Sequence, residues 1–363
     1  MAVHQHRGGL SRTLRKLGEA SLTVGFAGGS ITDPRTGQNW PEPVIAWFVE
    51  TFPGVRVFVE NMAIGATGSE SAVFRAQRDL IDRDCDLVFV EYAVNDQGVA
   101  PGTRRKTREG LLRKLLAGQG RDIVLTYTYG QAMYEDMAAG KIPATIAEFE
   151  QLGEHYGIGS VWMGLHAFHE VQAGRMRWEE WLPDGVHPQS RGSLSYAQSV
   201  TAFLEKELIA GPGAGRILTG NRLPAPLDND NWQTAASVPF SDVTLTGPWC
   251  VRRWPTNEWI DQVLDTAAIG ARLSFRFDGR VLSLGLDFGK ASADFRYRLD
   301  GADWQTVHLD RPQWCGDSGW YRFVTVRDDL PSALHEIEIE VIHGNTPECA
   351  GTNFRLAYIG VVK

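Results

Sequence analysis

Cysteine is scarce in this chain: four in 363 residues, at Cys85, Cys250, Cys315 and Cys349. None forms a CxxC pair, which excludes zinc-ribbon or finger architectures and a dithiol redox motif. Cys85 precedes an apolar, strand-like run and reads as a buried free thiol. A Cys250–Cys315 bridge is the one pairing considered, and the lack of a secretory leader argues against it. Long apolar runs are missing too, so no segment reads as a membrane-spanning helix. The N-terminal stretch MAVHQHRGGLSRTLRKLGEA carries positive charge without an apolar core, which is unlike a signal peptide and points to a cytoplasmic protein. Positive charge is in deficit overall: 36 Lys and Arg face 44 Asp and Glu, a net −8 that argues against a nucleic acid as the main partner. Internal repeats and low-complexity tracts are absent, and no motif calls for a cofactor. What remains is ordinary globular composition, 43% hydrophobic and 22% charged, in a chain long enough for a large core and more than one domain. A homo-oligomer is compatible with it.

The two halves of the chain follow different patterns. In the first, strand-like runs at Leu22–Ala27, Val55–Glu60, Leu87–Tyr92 and Ile123–Tyr127 are apolar nearly throughout, as expected of strands covered on both faces. Helical patterns at Pro41–Thr51, Ser69–Leu80, Thr103–Ala117 and Pro143–Tyr156 alternate with them. A short strand near Ser160–Met163 and a last helix at Ser190–Leu208 close the series. Strict alternation predicts a three-layer α/β/α domain with a parallel sheet, over residues 1–210. Turn-rich sequence at 211–230 (GPGAG, then NRLPAPLDNDN) reads as a linker. Residues 231–363 carry short alternating runs at Arg272–Phe277, Val281–Leu286, Phe295–Leu299, Gln305–Leu309, His335–Ile342 and Phe354–Val361. Asp278–Gly279 and Asp300–Gly301 suit tight hairpins between them. That pattern predicts an all-β, jelly-roll-like sandwich.

Chemistry-bearing residues collect at the ends of the first-half strands. Leu22–Ala27 runs directly into Gly28-Gly29-Ser30-Ile31-Thr32, placing a serine where open α/β sheets put their sites. The second strand ends in Asn61-Met62-Ala63-Ile64-Gly65-Ala66-Thr67-Gly68-Ser69, where Gly65 could offer an unobstructed N–H. The third ends in Tyr92-Ala93-Val94-Asn95-Asp96, where Asn95 could aim an amide into the same crevice. Before the last helix comes Asp184-Gly185-Val186-His187-Pro188, a spacing that lets the carboxylate accept from the imidazole Nδ1–H. Each of these alone also reads as plain turn chemistry.

Together, and in this order, the four segments resemble the SGNH (GDSL-like) hydrolase superfamily, over about residues 20–208. The resemblance implies a flavodoxin-like α/β/α fold and a serine esterase. Catalysis would rest on Ser30, His187 and Asp184, with an oxyanion hole from the N–H groups of Ser30 and Gly65 and the Asn95 amide. No metal is implied. One departure stands out: Gly29 occupies the place where the family usually has an aspartate. A β-sandwich after such a domain is similar to some carbohydrate esterases, so the expected substrate is a short acyl ester, acetyl above all, on a small molecule or glycan. The rival expectations are a lipase- or thioesterase-like hydrolase of longer chains and a non-catalytic glycan-binding protein.

Other features have blander readings. His166 and His169 with Glu170 hint at a metal site but lack a third separated ligand. Thr103–Arg108 (TRRKTR) reads as a solvated helix face, with attraction of an anionic substrate group as its alternative. Trp178 and Trp181 either wall the site or pack the final loop. Seven of the twelve tryptophans lie at or beyond Trp232, and packing is favoured over sugar stacking for them.

Overall fold

A computed structural model describes residues 2–36, 39–119, 121–210, 223–257, 259–317 and 319–363, so 211–222, the first part of the expected linker, lies outside the described residues. The chain divides into two compact units, Met1–Gln233 and Thr234–Lys363.

The first unit alternates strand and helix as β1 (His4–Gln5), α1 (Ser11–Gly18), β2 (Ser21–Ala27), α2 (Pro41–Thr51), β3 (Arg56–Asn61), α3 (Ser69–Ala76), β4 (Leu87–Val90), α4 (Pro101–Leu116), β5 (Asp122–Thr126), α5 (Tyr134–Ala138), α6 (Ala144–Tyr156), β6 (Gly159–Val161), α7 (Met163–Gln172), α8 (Trp178–Trp181) and α9 (Ser190–Leu208). The sheet order is β1-β6-β5-β4-β2-β3; β2 through β6 are parallel and β1 is antiparallel to β6. Among the parallel strands this is the doubly wound, flavodoxin-like order, whose reversal falls between β2 and β4. Helices α3, α4 and α6 pack as one group, and α2, α9 and α7 as another. The alternation of the chain between them gives the three layers.

Apolar sequence explains the buried centre. In β2 and β4, Leu22, Val24, Phe26, Leu87, Val88 and Phe89 are fully buried. Phe26 stacks on Phe89 across the strand pair at 5.3 Å, with Trp40 edge-on to Phe26 at 5.4 Å. Each such side chain contributes about 1.5–3 kcal/mol relative to exposure. Helix α9 presents Tyr196, Val200, Phe203 and Leu204 at helical spacing and buries all four. Strand β3 departs from the expectation of cover on both faces. It is the edge strand, and Phe58 and Val59 are exposed.

The stretch before residue 234 belongs to this unit. Leu227 and Asp228 donate their N–H groups to the Glu109 carboxylate at 2.6 and 2.7 Å, and the Trp232 N–H donates to the Lys106 carbonyl at 3.0 Å, which pins the strap on α4. Trp232 is buried here and packs on Phe74.

The second unit consists of β7 (Ala235–Ser237), β8 (Thr244–Thr246), β9 (Cys250–Arg253), β10 (Gln262–Thr266), β11 (Arg272–Gly279), β12 (Val281–Phe288), β13 (Asp294–Leu299), β14 (Gln305–Val307), β15 (Trp320–Arg327), β16 (Ala333–Ile342) and β17 (Phe354–Val362). They form two antiparallel sheets, β15-β12-β17-β10-β9 with β7 on β17, and β14-β13-β16-β11-β8. Alternate residues of β11 and β16 (Leu273, Phe275, Phe277; Ile337, Ile339, Val341) face Leu282, Leu284, Leu286 and Ile359 of the other sheet in one shared core. Asp300–Gly301 makes the expected hairpin between β13 and β14, both residues having positive φ (+52° and +73°). Asp278–Gly279 does not. β11 and β12 belong to different sheets, so this turn carries the chain across the core. All four cysteines are free, including Cys250 and Cys315.

Candidate active site

Ser30 follows β2 and Asn95 follows β4, so the two flank the point where the strand order reverses. At such a reversal neighbouring connections leave in opposite directions, which is where open α/β sheets place their ligand crevices. The Ser30 hydroxyl lies 2.8 Å from Nε2 of His187. His187 Nδ1 lies 2.7 Å from Oδ2 of Asp184. An ionised carboxylate only accepts, so the ring carries its proton on Nδ1 and Nε2 is left to accept from Ser30.

Local backbone geometry sets up this pair. Asp184 Oδ1 also accepts the N–H groups of Val186 at 2.9 Å and His187 at 2.7 Å, closing a turn around one carboxylate. Between them Gly185 adopts φ +82°, a left-handed conformation that glycine takes without cost. Partial burial of Asp184 opposes ionisation, but the His187 N–H, the imidazole and the Val186 N–H outweigh it and hold the carboxyl down at about 2. The segment rests on an aromatic base. Trp181, fully buried, packs on Tyr129 at 4.8 Å and stacks with Trp178 at 5.0 Å, and its carbonyl accepts the Gln189 N–H at 2.9 Å. Trp181 thus packs beneath the loop, while Trp178 is half-buried against Trp181, Tyr129, Tyr134 and Phe168.

Gly65 and Asn95 both reach Ser30's neighbourhood. A Cβ placed on Gly65 would stand 3.7 Å from Ser30 Cβ. Ala66 beside it has φ +58°, a strained conformation for a non-glycine residue. Among the described residues, no acceptor takes the N–H of Ser30 or of Gly65. The Asn95 amide lies directly over Gly29: a Cβ there would fall 2.0 Å from Asn95 Oδ1 and 2.7 Å from Nδ2. Residue 29 therefore has no room for a side chain while the Asn95 amide stands there.

Several supporting residues escaped the sequence reading. Asp96, fully buried next to Asn95, accepts from the Ser69 N–H and hydroxyl at 2.9 Å each and pairs with Arg108 at 2.6 Å. The loop after β3 and the turn after β4 are thereby tied to α4. Arg104 pairs with Glu148 at 2.6 Å. The basic run is therefore no solvated face at Arg104 and Arg108, both of which are buried. Their i,i+4 spacing was the available signal. Arg75, 1% exposed, donates to the Met62 carbonyl at 2.5 Å and braces the loop that carries Gly65. His166 and His169 lie on α7, where Glu170 is engaged by Arg175 at 2.6 Å and Arg191 at 3.4 Å.

No family model matches the sequence, and no curated protein matches it. Solved structures do match. A two-domain esterase active on acetylated mannans superposes with a TM-score of 0.80 at 22% identity, covering 99% of this chain and 96% of that one. The same esterase with mannopentaose superposes with a TM-score of 0.79. The chain has this two-domain fold. An acetyl xylan esterase variant from Geobacillus stearothermophilus aligns over 52% of this chain and 96% of its own, at 19% identity and a TM-score of 0.44. At 99% coverage, the likeness to the two-domain esterase takes in both the α/β unit and the sandwich.

Proposed function

We propose that the chain is a serine esterase that removes short acyl groups, acetyl above all, from a carbohydrate. The observation that carries this reading is the hydrogen-bonded series Ser30–His187–Asp184, with links of 2.8 and 2.7 Å. In a folded protein a serine hydroxyl gains nucleophilicity from such a base, and the base is oriented by the carboxylate behind it. Support for the acetyl-glycan substrate is the fold shared with an esterase active on acetylated mannans.

His187 takes the hydroxyl proton as Ser30 Oγ bonds to the ester carbonyl carbon. The carbonyl π electrons move onto oxygen, which the N–H groups of Ser30 and Gly65 and the Asn95 amide stabilise. Collapse of this intermediate breaks the bond to the sugar oxygen, and His187 returns its proton to that leaving alcohol. Water, deprotonated by His187, then attacks the acyl-serine. Its collapse releases the carboxylic acid and restores the Ser30 hydroxyl. Asp184 stays ionised throughout and stabilises the imidazolium.

Turnover of p-nitrophenyl esters from acetate to octanoate, together with acetate release from acetylated mannan and xylan, tests the proposal. Acetate-selective turnover that Ser30→Ala abolishes, with a phosphonate adduct mapping to Ser30, is the expected result. Preference for octanoate transfers the reading to lipase-like chemistry. A well-folded chain inert to every ester and to the phosphonate ends it in favour of binding alone.

A further inference from the structure

Beneath the Ser30 turn lies a carboxyl that the reaction does not use. Glu91 directly follows β4 and is fully buried, after four apolar residues that are buried with it. Its N–H donates to the Ala27 carbonyl at 2.8 Å, seating it beside the end of β2. Its carboxyl collects donors from three segments. The Thr128 hydroxyl, just past β5, donates at 2.7 Å. The Thr32 hydroxyl donates at 3.2 Å. The Gly29 N–H donates as well.

The direction of the Thr32 contact is fixed by a further link. Trp40 Nε1–H donates to Thr32 Oγ at 3.1 Å, which leaves the hydroxyl hydrogen for Glu91. Around it the turn closes on itself, with the N–H groups of Thr32 and Asp33 both donating to the Gly29 carbonyl at 3.0 Å. Glu91 therefore grips the chain on either side of Ser30, at Gly29 and at Thr32. Burying a carboxyl is costly unless hydrogen bonds repay it, and an apolar residue would fill the same layer at lower cost. The position is unusual for its chemistry, and its partners belong to the turn that carries the serine.

We propose that Glu91 is a positioning residue for Ser30: its carboxylate clamps Gly29 and Thr32 so that the Ser30 hydroxyl meets His187 at a productive angle, and neutralising it slackens the turn. The inference rests on the esterase reading and deepens it. Burial pushes the Glu91 carboxyl up, against the Thr128, Thr32 and Gly29 donors and with help from Asp96, to about 7. Of the other titratable groups facing it, Asp96 is on the turn after β4, Tyr92 is its chain neighbour, and Tyr196 comes from α9. Burial raises both phenols above their usual range, so they stay neutral. The clamp changes its charge near neutral pH, and both Glu91 and His187 must be deprotonated for full activity.

Glu91→Gln in the full chain tests this, because the amide keeps the shape and removes the charge. The expected result is a kcat lower by about 10- to 100-fold, the scale of a modest misplacement, with KM changed less than about twofold and phosphonate labelling of Ser30 slowed in proportion. The acid limb of log kcat against pH, which follows two deprotonations in the wild type, should follow one in the variant. Thr128→Val removes a donor to the carboxylate, so the acid limb should move to higher pH, and this variant decides if Glu91→Gln does not fold. An unchanged kcat and acid limb in Glu91→Gln, or an unmoved limb in Thr128→Val, overturns the clamp while leaving the esterase intact. A wild type never labelled on Ser30 overturns the esterase reading itself, and the clamp with it.

Discussion

Substituting Gly29 by alanine isolates the steric logic of the site. A Cβ at this position would lie 2.0 Å from Oδ1, 2.5 Å from Cγ and 2.7 Å from Nδ2 of Asn95. Carbon and polar atoms need well over 3 Å, so something must yield by about 1 Å. The Asn95 side chain is partly exposed and turns on two single bonds, whereas the backbone at Gly29 is held by the Glu91 carboxyl and by the N–H groups of Thr32 and Asp33. Asn95 is the part that moves. Loss of one oxyanion donor costs about 10²–10³ in kcat, or about 2.7–4 kcal/mol of transition-state stabilisation. Gly29→Ala should therefore lose about 10²-fold or more in kcat on p-nitrophenyl acetate, while the urea midpoint shifts by less than the equivalent of about 1 kcal/mol. Gly29→Asp, which introduces the residue the SGNH resemblance would place here, should be no better, since it adds a carboxylate where negative charge develops. The decisive comparison is a double-mutant cycle. Asn95→Ala alone should cost about 10²–10³, and it vacates the space that a Cβ at 29 needs. The double variant should then be no slower than Asn95→Ala. Full activity in Gly29→Ala, or multiplicative losses in the double variant, would refute the reasoning.

Asp184→Asn should lower kcat by about 10⁴, the cost of presenting the wrong imidazole tautomer, with phosphonate labelling of Ser30 slowed to match; wild-type labelling rates would contradict the role given to this carboxylate. Arg108→Met leaves Asp96 buried without its cation, and chemical denaturation should register a loss of about 3–5 kcal/mol. A neutral effect would mean that Ser69 alone suffices for Asp96. Glu91 also leaves a signature on stability. Its folded value of about 7 lies above the ordinary 4.5, so the folded state holds the proton more tightly than the unfolded chain. The stabilisation is complete below the ordinary value and is lost as pH rises through the folded one, a fall of about 3 kcal/mol that Glu91→Gln should remove. Urea midpoints of the two proteins across pH 4 to 8 (about one unit per step) would report it, and parallel curves would exclude it.

The layout of the first unit was readable because its signals are local and repeated. Apolar runs of strand length alternate with helical patterns, and the ends of β2, β3 and β4 carry the residues that the structure gathers around Ser30. His187 and Asp184 were equally visible, since three residues on one turn decide their contact. What escaped depends on partners distant in the chain. Arg104 looks like part of a solvated basic stripe, yet its acceptor Glu148 lies 44 residues away. Glu91 falls inside the run Leu87–Tyr92, which reads as a covered strand, but the sequence does not show that Thr32 and Thr128 supply the donors for its carboxyl. The Asp278–Gly279 turn has hairpin chemistry, but which strands pair is set by the sandwich core, so the same dipeptide leads from one sheet to the other. Exposure of β3 follows from its place at the sheet edge, which no run of apolar residues encodes. Gly29 reads as a departure from the resembled motif, and the amide that occupies its space comes from the turn after β4.

The strap of residues 223–233 has a practical consequence for anyone dissecting the protein. Its attachment to Glu109 sits on α4 one residue from Arg108, whose guanidinium holds Asp96 next to Asn95. An excised α/β fragment ending at residue 210 would strip Glu109 of two donors and empty the slot filled by Trp232, loosening the same helix that steadies the asparagine. A fragment ending after Gln233 keeps that helix fastened, and it is the form in which to ask whether the α/β unit turns over esters unaided.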